Sequence, residues 1–338
     1  MKASIYQGNK TFSIIEKETE APAKGEVRIK VAYSGVCGTD VHIYHGMMDK
    51  RVKMPLTIGH EMSGTIDAVG DGVTGFSEGE KIVVRPLDDR GAKPSDKGFN
   101  HVCEDLKFIG IDSPGSMQQY WNVPAFTLHK LKPETDLKLA ALIEPLSVAV
   151  HDVRLSELQK GETAVVLGGG PIGLLVALVA KEVGANVIIS EVNENRIAKA
   201  KELGLNAVNP TKIDLVQYVR EETEGRLADV VFEVAGVQPA LDIMTEIAGI
   251  RGRILMVAIH GQKKEVDLFK FFWKELKLIG ARVYEKEDYE KAIELITKNE
   301  LPFEDMITDV QPLSNIQKVF EDIDNNPDGL KVLMDCQA

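Results

Sequence analysis

Gly168-Gly169-Gly170-Pro171-Ile172-Gly173 is the stretch that decides the fold of this chain. It satisfies G-x-G-x-x-G, a pattern that alone signals little more than a tight glycine turn. Its surroundings narrow the choice. An apolar run at 164–167 reads as a strand leading into it. Ile172, Leu175, Val176, Val179, Ala180 and Val183 follow at helical spacing, with Pro171 placed to start a helix and Gly184 to stop it. A strand, a glycine turn and a helix N-terminus in that order let backbone amides approach a pyrophosphate. Gly168, Gly170, Pro171, Ile172 and Gly173 are therefore expected to form a dinucleotide site. Glu191 ends the next strand, where a carboxylate accepts hydrogen bonds from ribose hydroxyls and repels a 2′-phosphate, favouring NAD over NADP. A strand-end carboxylate facing solvent is the plain alternative, and the nearby Arg196 could tolerate a phosphate.

Six strand-like runs at 164–167, 186–190, 206–208, 229–234, 253–258 and 278–283 alternate with helical or connecting stretches. That alternation describes a doubly wound parallel sheet. Before residue 136 the chain shows no convincing helical period. Short β-rich runs at 2–6, 11–16, 27–33, 63–69 and 81–84 are broken by turns such as Gly70-Asp71-Gly72. After the sheet come a helix at 288–298, a strand at 307–310, a helix opening on the capping-box pattern Ser314-Asn315-Ile316-Gln317, and a strand at 331–336. The expected class is α/β: residues 1–146 with 285–338 form a β-rich domain and 147–284 a dinucleotide-binding domain.

A chain of 338 residues, 44% hydrophobic and 27% charged, suits two globular domains. Its net charge of -12 repels phosphate backbones, so no nucleic-acid partner is expected. The longest apolar run, 171–180, is about half of what crossing a bilayer needs, so no membrane partner is expected either. The N-terminus turns polar at once, which reads as no secretion signal. Three cysteines, Cys37, Cys103 and Cys336, make no disulfide framework, and a reducing cytoplasm is the expected location.

Cys37 lies in Gly35-Val36-Cys37-Gly38-Thr39-Asp40-Val41-His42, and His60 and Glu61 follow in Gly59-His60-Glu61. Glu144 lies in Ile143-Glu144-Pro145-Leu146-Ser147. Thiol, imidazole and carboxylate are the ligand types of a catalytic zinc. Singly, each has a blander reading: a lone Cys is usually a small buried hydrophobe, and the spacing matches no short zinc-finger pattern. Residue chemistry alone leaves the metal open.

Taken together and in this order along the chain, GVCGTDVH, GHEMSG, GDGV, IEPLSVAVH and GGGPIG resemble, over nearly the whole length, a zinc-dependent medium-chain dehydrogenase/reductase. IEPLSVAVH resembles the sorbitol (polyol) dehydrogenase branch, and CGTDVHIY and EVNENR resemble threonine 3-dehydrogenases. The resemblance implies a GroES-like catalytic domain interrupted by a Rossmann domain. It implies one catalytic zinc per subunit on Cys37, His60 and Glu61, with Glu144 bound directly or standing behind a water. It implies Thr39 and His42 as a proton relay, and Asp40 as the carboxylate that orients His60. Arg282 and Tyr284 fall loosely near the substrate-facing stretch. Many relatives hold a structural zinc on four cysteines; here those positions read Arg90, Lys93, Asp96 and Cys103, so that second zinc is expected to be absent.

The implied reaction is reversible oxidation of a secondary hydroxyl of a polyol, cyclitol or sugar acid to a ketone, with hydride transfer to NAD. Threonine 3-dehydrogenase or vicinal-diol dehydrogenase activity is the alternative within enzymes; a dinucleotide-binding sensor is the one outside them. A homodimer or homotetramer is expected.

Overall fold

The computed structural model describes residues 1–89, 98–325 and 329–338. The chain divides into one unit made of Met1–Glu144 with Glu285–Ala338, and another of Pro145–Tyr284.

The unit Pro145–Tyr284 is built on six parallel strands in the order Asn206–Val208, Asn186–Ser190, Thr163–Leu167, Ala228–Glu233, Ala248–Met256 and Lys277–Gly280. Val165, Ile188, Val231 and Ile254 meet Leu241, Met244 and Ile247 of the helix Gln238–Ile247 in its core. Burying each such side chain stabilises the fold by about 1.5–3 kcal/mol. The strand order changes direction at Thr163–Leu167, and ligands of such sheets sit beyond the carboxyl ends of the strands at that point. The glycine turn lies there.

Helix Pro171–Val183 starts at Pro171 and ends at Gly184 in the left-handed region, where the Ala185 N–H reaches the Ala180 carbonyl at 3.2 Å. Its spacing predicts one apolar face, yet every residue from Gly173 to Ala180 is buried. The reason is compositional: Leu174, Ala177 and Leu178 fill the positions an amphipathic helix would give to polar groups.

The other unit holds a sheet in the order Ile307–Pro312, Lys331–Asp335, Glu26–Gly35, Glu61–Val69, Lys81–Val84 and Leu128–Lys130, with Tyr120–Pro124 also paired to Glu26–Gly35. Alternation of buried residues along Glu26–Gly35 puts Val27, Ile29 and Val31 in the core. Tyr6, Phe12, Tyr44 and Phe320 form an aromatic cluster with Phe12 and Phe320 centroids 4.7 Å apart.

Two local expectations fail. A seven-residue helix, Gly38–Tyr44, stands where none is expected, because so short a helix with Thr39, Val41 and Ile43 in it shows no readable period. The capping box at Ser314 does not form. A 3-10 turn, Leu313–Asn315, precedes helix Ile316–Asn325, and Gln317 instead accepts a hydrogen bond from the Phe12 N–H at 2.7 Å. Among the described residues no helix is long and apolar enough to cross a membrane.

An added Cβ on Gly173 would sit 1.9 Å from the carbonyl oxygen of Gly168. Gly173→Ala should therefore lower the urea midpoint by the equivalent of about 1–3 kcal/mol, the usual cost of overpacking. An unchanged midpoint would show that the turn relaxes freely.

Candidate metal centre and dinucleotide site

The antiparallel register of Glu26–Gly35 with Glu61–Val69 sets Gly35 directly across from Glu61. Cys37 follows the end of the first strand and His60 precedes the second, so the pairing draws them together. Ligand atoms of Cys37, His60 and Glu61 all lie within 4.8 Å of one another. Gly35 makes this possible, since a Cβ there would stand 2.3 Å from Glu61 Oε2. Cys37 is also the N-cap of helix Gly38–Tyr44: its sulfur accepts from the Thr39 N–H at 3.5 Å, and Asp40 accepts from the Cys37 N–H at 2.9 Å.

Asp40 is fully buried and its Oδ1 lies 3.6 Å from His60 Nδ1, two buried atoms that face each other and that no hydrogen bond satisfies. With Nδ1 turned to Asp40, Nε2 is the nitrogen left for a metal. Burial opposes charge on His60, but Asp40, Cys37 and Glu144 outweigh it and hold its pKa well above the usual value. The field that retains a proton there is the field a divalent cation requires. The thiolate, imidazole and carboxylate thus fit zinc in donor chemistry and in local charge.

Glu144, buried in the first turn of helix Ile143–Leu155, adds negative charge toward His60 and Lys331 but falls outside the set gathered within 4.8 Å. Thr39 and His42 are half-buried and, three residues apart, share a face of their helix. Lys331 is the residue that sequence reasoning missed. Its Nζ lies 2.8 Å and 2.7 Å from the two oxygens of Glu61. No motif marks it, and 270 residues separate the partners. Cys103 is buried, whereas Arg90, Lys93 and Asp96 lie outside the described residues. Tyr284 is fully buried and Arg282 exposed.

In the other unit, Gly168 adopts φ +110° and Gly170 caps the helix with no side-chain bond, leaving the Gly170-Pro171-Ile172 edge bare of side-chain caps. Glu191 is buried and committed to the turn. Its Oε2 accepts from the Gly169 N–H at 2.7 Å, and its Oε1 from Val192 and Asn193 N–H at 2.7 and 2.9 Å. Arg196 Nη1 lies 3.9 Å from Oε2. The solvent-facing alternative for Glu191 is thereby excluded. A carboxylate has about four acceptor sites, so one on Oε2 remains for a further donor.

Asp40→Asn should weaken zinc affinity about 10–100-fold, as loss of a ligand-orienting carboxylate commonly does, measured by competition with a chromogenic chelator. Unaltered affinity would remove Asp40 from that role.

Residues 23–133 match the alcohol dehydrogenase GroES-like domain, and residues 171–298 match the zinc-binding dehydrogenase domain. The chain is 56% identical to a 2-dehydro-3-deoxy-L-galactonate 5-dehydrogenase of Pseudoalteromonas atlantica, covering 100% of this chain and 99% of the relative. It is 34% identical to a sorbitol dehydrogenase of Halalkalibacterium halodurans, covering 99% of each. An alcohol dehydrogenase of Escherichia coli CFT073 solved with NADH superimposes with a TM-score of 0.91 at 30% identity, covering 99% of each chain. Likeness at this level, over the full length of both units, makes the chain an oxidoreductase of the zinc-binding alcohol dehydrogenase family.

Proposed function

We infer that the protein oxidises, reversibly and with NAD, a secondary hydroxyl of a sugar acid, using one zinc per subunit. The observation that carries the reading is the convergence of Cys37, His60 and Glu61 within 4.8 Å. The sugar-acid class is supported by the relative at 56% identity, whose name places the oxidised carbon at position 5 of a deoxy-galactonate. NAD rather than NADP is supported by Glu191, whose buried carboxylate would lie against a 2′-phosphate. A homodimer or homotetramer in a reducing cytoplasm completes the proposal, the latter in keeping with three free cysteines.

When bound, zinc supplies Lewis acidity that eases deprotonation of a substrate hydroxyl, and NAD supplies the hydride acceptor. The chain's own part is positional. Asp40 holds His60 by its Nδ1 edge, and Cys37 is fixed by the helix cap. Glu144, whose charge reaches His60, would bind the metal directly or stand behind a bound water. The Thr39 hydroxyl would accept the substrate proton as it gives up its own, and His42, on the same helix face, would release the relayed proton to solvent.

The test is a screen of sugar acids, alditols and threonine by NADH absorbance, on protein of measured zinc content. Turnover on a sugar acid is expected. Cys37→Ser should lose zinc and cut turnover about a thousandfold or more, since Lewis acidity contributes several kcal/mol. Full metal and full activity in that variant would show the site misplaced. Glu191→Ala should move the kcat/KM ratio about tenfold toward NADP, the effect of about 1.4 kcal/mol at the ribose; an unmoved ratio would take Glu191 out of coenzyme selection.

A further inference from the structure

We propose that Lys331 is a positioning residue that sets how tightly the protein holds its metal, by competing with the cation for Glu61. The Lys331 ammonium donates to Glu61 Oε1 at 2.8 Å, to Glu61 Oε2 at 2.7 Å and to the Val36 carbonyl at 3.2 Å. Those three bonds use all three of its donors. The two side chains are 5% and 1% exposed, so solvent screens neither charge. The backbone of Lys331 is fixed where the side chain reaches Glu61. It opens the strand Lys331–Asp335, which is locked to Glu26–Gly35 through Leu333 opposite Gly35, and through the Val36 N–H on the Val332 carbonyl at 2.9 Å. Glu61 is equally confined, because its carboxylate lies over the bare Cα of Gly35.

Metal affinity is the difference in free energy between the loaded and metal-free protein. In the metal-free protein Lys331 compensates Glu61, a carboxylate that would otherwise be buried unpaired at considerable cost. In the loaded protein the same ammonium faces a divalent cation across the shared carboxylate and draws electron density from it. Both effects act in one direction: they stabilise the metal-free state relative to the loaded one. Lys331 therefore weakens binding, although it holds the ligand in place. A residue with only a structural role would do the opposite, since its loss would loosen the site and release metal.

This inference rests on Glu61 being a metal ligand. The test uses full-length Lys331→Met, Lys331→Gln and Lys331→Arg. Zinc release to a chromogenic chelator and the melting temperature of the metal-stripped protein are measured for each. Lys331→Met and Lys331→Gln should release zinc about tenfold more slowly than the parent, within the range of effects from residues behind metal ligands, and should melt lower once stripped. Lys331→Arg should behave as the parent. Release from the uncharged variants at the parental rate or faster overturns the role of Lys331. If those variants match the parent while Cys37→Ser still loses its metal, the metal-site reading stands and this inference alone falls. A parent protein that holds no zinc removes both.

Discussion

The pairing of Gly35 with Glu61 is the constraint on which the candidate metal centre depends. Side chains alternate along a strand, so a slip of one residue in this register would send the Glu61 carboxylate to the opposite face and separate it from Cys37. The register holds because both strands bury apolar residues on the core face: Val27, Ile29 and Val31 on one, Met62 and Ile66 on the other. A third strand, Lys331–Asp335, pairs with the same segment and delivers Lys331. Backbone pairing, rather than any attraction between the polar side chains, therefore assembles the thiol, imidazole, carboxylate and ammonium.

Electrostatics then selects what such a cluster can hold. Asp40, His60, Glu61, Glu144 and Lys331 are all buried. Charges removed from water are tolerated only where opposite charges or hydrogen bonds meet them. Lys331 meets Glu61, and His60 meets Asp40 at a distance just beyond a hydrogen bond. Burial pushes the Asp40 carboxyl up to about 6 despite His60 beside it. The excess of acidic groups is the physical reason that a divalent cation suits the centre.

The dinucleotide unit uses a carboxylate for a different purpose. Glu191 binds three backbone N–H groups and holds the glycine turn against the end of its own strand. The close approach of Gly173 to Gly168 packs the helix onto that turn. The shape of the turn thus depends on one side chain, and a substitution there would release three backbone N–H groups at once.

The fold class was legible from the chain itself, because strands buried on both faces and a helix entered through a glycine turn leave a periodic trace. That Cys37, His60 and Glu61 would gather was legible only through likeness to a family, since taken singly they carry blander readings. Helix Gly38–Tyr44 left no trace, being too short for its period to register. The Ser314 capping pattern misled, because Gln317 finds a better partner in a distant backbone N–H. What the sequence by itself determined was the alternation of strand and helix and the chemical kinds of group available, both written in local order. What only the tertiary structure decided was which groups meet: the Gly35–Glu61 register, and the reach of Lys331 across 270 residues to a carboxylate. Strand pairing brings together residues whose separation along the chain contains no record of their contact.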